Sequence, residues 1–365
     1  MPHPRPISPL FLPLFFLHGS LIVLGFASRP SPYRPLLFLP VAFVAYYTVS
    51  LSRVCSITTV PPVDFAAGAW LLVQTISSFN GMVLYDAQKT LYRVVDTPGQ
   101  ITTEPFVERV RWGFDLFMNL RGIGWNHEPR RLPRNPQSLN ESRAAFVISR
   151  FWTLGELGLV IVALRLVFGD PNTTSDSSRR LHIEILSRLL PLVSLALVGT
   201  IVHSISSVAA VGFGISKPAA WPPGIGKFAD AYTVGNCWGL VWHQGVRVHL
   251  VTLAQFILHD IFKVPSKPTY MFRFLSLHIV FFLSGLIHVG FEFMAHGQAS
   301  SEFIVLFMLQ AWAITAEQAV QYIAFGSVSR IEAPSFWWRL IGYVWVGCWV
   351  IACAPLAEGV VRKVD

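Results

Sequence analysis

The sequence predicts an all-α fold that crosses a membrane about eight times. Composition is the first reason, because 53% of the 365 residues are hydrophobic and only 13% are charged, whereas soluble globular chains carry about a quarter charged residues. The second reason is that apolar runs long enough to span a bilayer, roughly 20 residues each, recur along the chain. Together these observations predict a polytopic membrane protein.

Eight apolar runs are the candidate transmembrane helices. Pro9, Pro13 and Pro40 interrupt or flank the first two runs, and proline removes a helix donor. The first run is interpreted as a retained helix rather than a signal peptide, because it lacks a compact charged region and further membrane segments follow directly. The eight runs lie near residues 9–27, 35–51, 64–85, 144–168, 188–212, 274–294, 302–325 and 336–356.

A polar insert separates the first three runs from the rest. We predict a single domain, residues 1–365, with N-terminal spans in 1–85, a polar loop in 86–143 and the helical core in 144–358. The loop is rich in Lys and Arg, so we expect it on the cytosolic side. Apolar residues at helical spacing over 107–120 predict a short interfacial helix within it.

Two glycosylation sequons bear on this topology. Asn172-Thr173-Thr174 lies on the next connection, which is lumenal if the loop is cytosolic, so Asn172 is a candidate glycosylation site. Asn140 begins a second sequon inside the loop itself. That sequon either stays unmodified or contradicts the predicted topology.

The residues disfavour several classes of function. The formal net charge is +8, but the Lys and Arg residues lie between the spans rather than on one soluble face, so we do not expect nucleic-acid binding. The four cysteines show no CxxC spacing, which argues against a disulfide framework and a zinc site. Membrane di-iron enzymes cluster histidines in HxxxH and HxxHH boxes, and the chain contains neither, so we expect no metal site.

Two histidine-containing segments carry the strongest functional signal. Residues 236–244 read NCWGLVWHQ, within a helical stretch, 231–258, that is too polar for a lipid-exposed span. We expect that stretch in the interface or against a water-accessible cavity. Residues 284–288 read SGLIH and place His288 in an otherwise apolar helix. Because a polar ring is costly in hydrocarbon, these histidines indicate proton-transfer chemistry on a substrate reached from the bilayer.

These segments resemble a known family. Residues 238–243 resemble the tryptophan–glycine–two residues–tryptophan–histidine element of wax-synthase-like proteins, in the membrane-bound O-acyltransferase superfamily. Residues 284–288 resemble the helix that bears the superfamily's catalytic histidine. The resemblance covers about residues 110–325. Further matches, to the lead-in of that element and to the fungal branch of the family, are Arg121-Gly122-Ile123-Gly124-Trp125, Trp221-Pro222-Pro223, Ala229-Asp230-Ala231-Tyr232-Thr233, Gln310 and Glu317.

The resemblance implies the superfamily's fold and its acyl transfer from acyl-coenzyme A to a hydroxyl of a lipophilic alcohol. The fungal branch implies acetyl-coenzyme A as donor and a terpenoid or meroterpenoid alcohol of secondary metabolism as acceptor, in the endoplasmic reticulum membrane. Acyl-coenzyme A is then a co-substrate, and no separate cofactor is expected. One alternative is a wax ester synthase, which joins a long acyl chain to a fatty alcohol. Another is a non-catalytic transporter or lipid-binding protein.

Three residues are the candidate catalytic residues. Desolvation favours a neutral imidazole at His288, which can then act as general base toward the hydroxyl; the alternative is a core histidine hydrogen-bonded between helices. Asn236 and His243 lie two turns apart and would share one helix face. There they would orient the acyl carbonyl or stabilise the oxyanion. Their alternative role is interfacial anchoring, since Trp238 and Trp242 are typical of the headgroup region.

Other side chains are candidates for binding the substrates. Glu292 shares a face with His288 and either orients its ring or pairs with a basic group. Gln310 and Glu317, on a following helix, either bridge helices or contact substrate. The candidate substrate-binding residues are Trp238, Trp242, Glu292, Gln310 and Glu317, and the candidates for the acyl-coenzyme A phosphates are Lys227 and Arg247, which otherwise mark the cytosolic side.

Overall fold

Helices make up nearly all of the regular structure. The computed structural model describes residues 5–129, 132, 141–167, 190–242, 244–265, 269–326 and 335–362. Within these ranges the only strand-like pairing consists of two isolated bridges, Ile7 with Ser56 and Arg93 with Trp125. The prediction of an all-α fold is confirmed.

The α-helices are numbered here in chain order through the described residues. They are α1 (Phe11–Ala27), α2 (Phe38–Leu51), α3 (Pro61–Phe79), α4 (Ala87–Thr90), α5 (Phe106–Met118), α6 (Arg143–Val167), α7 (Leu190–Gly212), α8 (Val234–Asn236), α9 (Arg247–Phe256), α10 (Tyr270–His296), α11 (Glu302–Phe325) and α12 (Phe336–Arg362).

Six helical segments of the described chain are long and apolar enough to cross a membrane. The protein is therefore a multi-pass membrane protein. Of the two remaining predicted runs, the first is the shorter apolar helix Phe11–Ala27, and the other lies in the apolar helix Leu190–Gly212. The six segments are Arg34–Leu51, Pro61–Leu84, Arg143–Leu164, Tyr270–His296, Glu302–Ala324 and Phe336–Leu356.

The chain divides into two compact units. The first comprises Met1–Pro129, Gly245–Ala316 and Val360–Asp365. Within it α10 packs most extensively on α3, and α1 packs on α5. Glycines allow the α3–α10 approach, because a β-carbon on Gly68 would lie 3.1 Å from the Cβ of Met294. The α3–α10 pair is thus the rigid support for His288.

The helix that carries His288 is fixed at both ends. At its start, the Thr269 hydroxyl accepts a hydrogen bond from the N–H of Phe272 over 3.2 Å. At its end, Gly297 has a φ of 72° and donates to the carbonyl of Phe293, a conformation that suits glycine. The Arg5 guanidinium donates to the last carbonyls, those of Met294 and Ala295, which lack partners inside the helix.

The second unit comprises Arg130–Gln244 and Glu317–Gly359. Its helices α6 and α7 pack against each other, and both hold the lead-in segment at Trp221. From α6, Arg150 donates to the carbonyl of Trp221 over 3.2 Å. From α7, the ring of His203 lies 5.4 Å from the Trp221 ring. These contacts fix the start of the segment that leads to Asn236.

Two helix predictions from the polar regions had different outcomes. The helix predicted over 107–120 is confirmed as α5, whose apolar face buries Trp112 and Leu116, and its position at the membrane interface stays a prediction. The prediction of a helical stretch over 231–258 is wrong in its middle. There α8 spans only three residues, a π-helical turn follows, and α9 begins after a break.

Candidate active site

The imidazole of His288 is held in one tautomer by its own helix. Its Nδ1 donates to the carbonyl of Ser284, one turn earlier, over 2.7 Å. A neutral imidazole with its proton on Nδ1 has its lone pair on Nε2. Nε2 is therefore the atom that can accept a proton, which agrees with the general-base role predicted from the sequence.

Four phenylalanine rings surround the His288 ring in the first unit. The ring centroids lie 4.4 Å to 6.4 Å from that of the imidazole, and the side chains come from three different helices. Such apolar surroundings lower the local polarity at the half-buried imidazole and strengthen electrostatic interactions with a bound substrate. The four residues are Phe65 of α3, Phe291 of α10, and Phe303 and Phe307 of α11.

Glu292 has a partner other than the imidazole. Its carboxylate is almost fully buried, and one oxygen accepts hydrogen bonds from the N–H and the hydroxyl of Ser300, at 2.9 Å and 3.1 Å. Glu292 thus ties the end of α10 to the connection before α11. The sequence suggested that Glu292 orients His288 or pairs with a basic group. Among the described contacts, its carboxylate does neither.

Asn236 ends the three-residue helix α8. Its backbone N–H donates to the hydroxyl of Thr233 over 2.9 Å, a side-chain cap of the kind that starts helices. The residue is 8% exposed. Within the described part of the chain its side-chain amide makes no hydrogen bond, so both polar groups of the amide are available to a ligand.

The prediction that Asn236 and His243 share one helix face is wrong. The π-helical turn Cys237–Val241 follows α8, and Trp242 is extended, with φ −68° and ψ 149°. The helix ends because its carbonyls find other donors: Gly226 N–H donates to Val241 over 2.8 Å. His243 itself lies outside the described residues.

The two tryptophans of this motif lie close together. Trp238 and Trp242 meet edge to face, with ring centroids 6.0 Å apart. The buried amide of Gln244 donates to the carbonyls of both, at 3.1 Å and 2.7 Å. Gln244 thereby folds the segment back on itself and holds the two rings together.

The two candidate residues of α11 differ in their surroundings. Gln310 is buried and donates to the carbonyl of Leu306 in its own helix over 3.2 Å. Glu317 accepts three hydrogen bonds from donors in the second unit. Substrate contact by either residue stays a prediction.

The remaining candidates lie at the surface or outside the described residues. Lys227 and Arg247 are exposed, so both side chains are accessible to a charged ligand, and their role at the phosphates stays a prediction. The candidate glycosylation site, Asn172, lies outside the described residues.

The motif over residues 121–125 forms a tight turn. Gly122 and Gly124 have φ values of 61° and 76°, and a β-carbon on Gly122 would lie 2.6 Å from Nε2 of His127. His249 of α9 donates from Nε2 to the carbonyl of Leu120 over 3.2 Å. Burial lowers the pKa of His249 to about 4, so this ring is a neutral structural link between the turn and α9.

The residues that form these surroundings include Thr233, Phe65 and Trp345, which were not among the candidate residues predicted from the sequence. Thr233 precedes Asn236 at the spacing of a helix N-cap, a local signal that was available. Phe65 on α3 and Trp345 on α12, which donates to Glu317, are remote in sequence from the motifs that they contact. No local sequence pattern marks Phe65 or Trp345, because only the packing of the helices brings these residues to the motifs.

A family model matches the part of the chain that carries the candidate residues. A model described as the Membrane bound O-acyl transferase family matches residues 221–310, a range that contains Asn236, His243 and His288. No solved structure matches the chain.

Several fungal proteins are similar along most of their length. Acetyltransferase ple2 of Rhodocybe pseudopiperita is 28% identical over 96% of this chain and 90% of its own. Acetyltransferase eriL of Hericium erinaceus is 27% identical over 92% of this chain and 86% of its own. O-Mevalon transferase macI of Penicillium terrestre is 28% identical over 75% of this chain and 68% of its own. By the family match and these relatives, the chain is similar to the membrane-bound O-acyltransferase family and to fungal acetyltransferases, and it is an O-acyltransferase.

Proposed function

We propose that this O-acyltransferase moves an acetyl group from acetyl-coenzyme A to a hydroxyl of a lipophilic terpenoid or meroterpenoid alcohol in secondary metabolite biosynthesis. Relatives named as acetyltransferases support the choice of donor. The apolar spanning helices support an acceptor that dissolves in the bilayer, and we assign the enzyme to the endoplasmic reticulum membrane. The reaction uses acyl-coenzyme A as a co-substrate and needs no further cofactor.

The observation that carries this proposal is the state of His288. With Nδ1 bonded to Ser284 and the ring enclosed by phenylalanines, Nε2 takes the proton of the alcohol as its oxygen attacks the thioester carbonyl. A C–O bond forms, and the tetrahedral intermediate collapses with loss of the coenzyme A thiolate. The thiolate receives the proton from Nε2, which leaves an ester, coenzyme A and neutral His288.

Asn236 is the proposed donor to the oxyanion. Its amide is buried and makes no hydrogen bond within the described chain, so the amide N–H can meet the carbonyl oxygen as negative charge develops. Losing one such donor typically lowers kcat by about 10²–10³-fold. We propose the same role for His243 from its position in the motif. Trp238 and Trp242 are proposed to line the acyl-donor site, with the exposed Lys227 and Arg247 at its phosphates.

A substrate matrix in microsomes tests the proposal. The chain is expressed in yeast microsomes and given acetyl- or palmitoyl-coenzyme A with either a terpenoid alcohol or hexadecanol. We expect ester only from acetyl-coenzyme A and the terpenoid alcohol, and none from microsomes that carry His288→Gln. Absence of product in every combination contradicts the proposal.

The second candidate is a wax ester synthase, because the apolar spans suit a fatty alcohol as well and not every similar protein is named as an acetyltransferase: macI is named as an O-Mevalon transferase. In the same matrix, product from palmitoyl-coenzyme A and hexadecanol would establish that function instead. The volume of the acyl-donor pocket decides between the two functions.

A further inference from the structure

Glu317 lies in the apolar helix α11, yet its carboxylate is fully engaged. One oxygen accepts from the N–H of Val234 over 2.6 Å and from the indole of Trp345 over 2.8 Å. The other oxygen accepts from the N–H of Gly235 over 3.0 Å. Charge-assisted bonds of this kind are the stronger ones, and they compensate for the cost of a carboxylate in an apolar span.

The backbone groups that Glu317 binds lead directly to Asn236. Val234 and Gly235 are the two residues before it, and together the three form α8. The hydroxyl of Thr233 holds the Asn236 N–H from the other side. Three consecutive N–H groups are therefore fixed by side chains, and the backbone that carries the Asn236 amide has little freedom to move.

Helix α12 holds the preceding residues of the same segment. The hydroxyl of Tyr343 donates to the carbonyl of Ala229 over 2.6 Å. Gly342 permits a backbone approach, since a β-carbon there would lie 2.1 Å from the carbonyl oxygen of Tyr232. Trp345, one helical turn after Gly342, brings its indole to Glu317. The segment before Asn236 is thus clamped between α11 and α12 within the second unit.

We propose that Glu317 is a positioning residue that sets the Asn236 amide for acyl transfer, rather than a residue that contacts substrate. The inference rests on the proposed role of Asn236 at the oxyanion. Its physical basis is that a donor displaced by about 1 Å can lose on the order of 10²-fold in rate. Glutamine at 317 would keep the size but place an NH₂ group against a backbone N–H, which breaks part of the clamp.

A double-mutant cycle tests this inference. Glu317→Gln, Asn236→Ala and the double variant are compared in microsomes for kcat and for KM of each substrate, per mole of enzyme. We expect Glu317→Gln to lower kcat about tenfold or more with KM of the alcohol unchanged. In the Asn236→Ala background the same change should have almost no further effect, because the amide that it positions is gone.

Several outcomes would overturn the inference. One is that the losses of kcat in the two single variants multiply in the double variant. Another is a rise in KM of the alcohol in Glu317→Gln without a change in kcat. The third is a wild-type kcat in Glu317→Gln or in Asn236→Ala. Glu156→Gln, which changes an exposed carboxylate of α6, is the matched control and should retain wild-type kcat. If Glu317→Gln does not accumulate, Trp345→Phe, which removes one donor, replaces it in the cycle with the same expected coupling.

Failure of the proposed function is distinguishable from failure of this inference. In the first case the wild-type microsomes form no ester. In the second case they form ester, but the cycle shows independent losses.

Discussion

Gly285 and Ile304 bring α10 and α11 into backbone contact one turn before His288. A β-carbon on Gly285 would lie 2.8 Å from the Cα of Ile304 and 3.2 Å from the carbonyl oxygen of Phe303. Only a residue without a side chain permits this approach. The contact allows the phenylalanine rings at positions 303 and 307 to reach the imidazole.

Enlarging Gly285 should therefore damage both packing and catalysis. In Gly285→Ala the helices must separate, at a cost of about 1–3 kcal/mol for overpacking, and the phenylalanines withdraw from His288. We expect a lower thermal midpoint in detergent and a lower kcat per mole of enzyme. Gly347→Ala in α12 is the control, because a β-carbon there meets nothing within 4 Å. Equal behaviour of the two variants would show that the close approach is unimportant.

The buried ion pair of Arg34 and Asp86 should matter far more than an exposed one. Arg34 is 2% exposed and donates to Asp86, so Asp86→Ala leaves a buried guanidinium without its counter-ion. We expect a loss of about 3–5 kcal/mol in unfolding free energy. Glu108→Ala breaks the exposed pair with Arg111 and should cost under about 1 kcal/mol. Chemical unfolding in detergent measures both losses of unfolding free energy. Similar losses in the two variants would contradict the larger contribution that we assign to the buried pair.

Stability should fall in mild acid partly through His249. Burial lowers its folded pKa from 6.5 to about 4, while the bond to Leu120 opposes this effect and the charge of His127 adds to it. Below pH 6.5 the unfolded chain therefore binds a proton that the folded chain does not, down to about pH 4. The contribution of neutral His249 to the stability of the folded chain is complete above pH 6.5. It is lost progressively as the pH falls through this window.

The measurement is the thermal midpoint in detergent between pH 7.5 and about 4.5, a range that covers most of that window. We expect a decline in the wild type that is shallower in His249→Gln, because the variant lacks the group that takes up the proton. Parallel curves for the two proteins would rule out this contribution.

The helical fold was predictable because apolar runs are a local property of the sequence. All eight predicted runs are helices in the described chain, and α10 begins and ends within a few residues of its predicted bounds. The short N-terminal helix reflects the position of Pro9, since α1 begins only at Phe11. The residue at which a helix begins within an apolar run depends on such local features of the sequence.

The site was predictable in its residue types but not in its geometry. His288 stands out because a polar residue in an apolar helix is rare. The bond from its Nδ1 to Ser284 follows from helical spacing. The continuous helix predicted through residues 236–243 failed, because the N–H of Gly226 and the amide of Gln244 donate to carbonyls that a longer helix would use. The phenylalanine enclosure arises from three helices, so no local pattern encodes it.

The most direct test of the account compares His288 with His278 on the same helix. His278 also donates from Nδ1 to the carbonyl one turn earlier, that of Phe274, over 2.9 Å, and its ring packs on Trp312. The two histidines thus share a helix, an internal hydrogen bond and aromatic contacts, and they differ in the role that we assign.

The measurement is kcat for ester formation by His288→Gln and His278→Gln at matched abundance in microsomes. We expect a loss of about 10²–10⁴-fold for His288→Gln and a rate close to that of the wild type for His278→Gln. A His288→Gln enzyme that turns over at the wild-type rate would contradict the assignment of His288 as the general base.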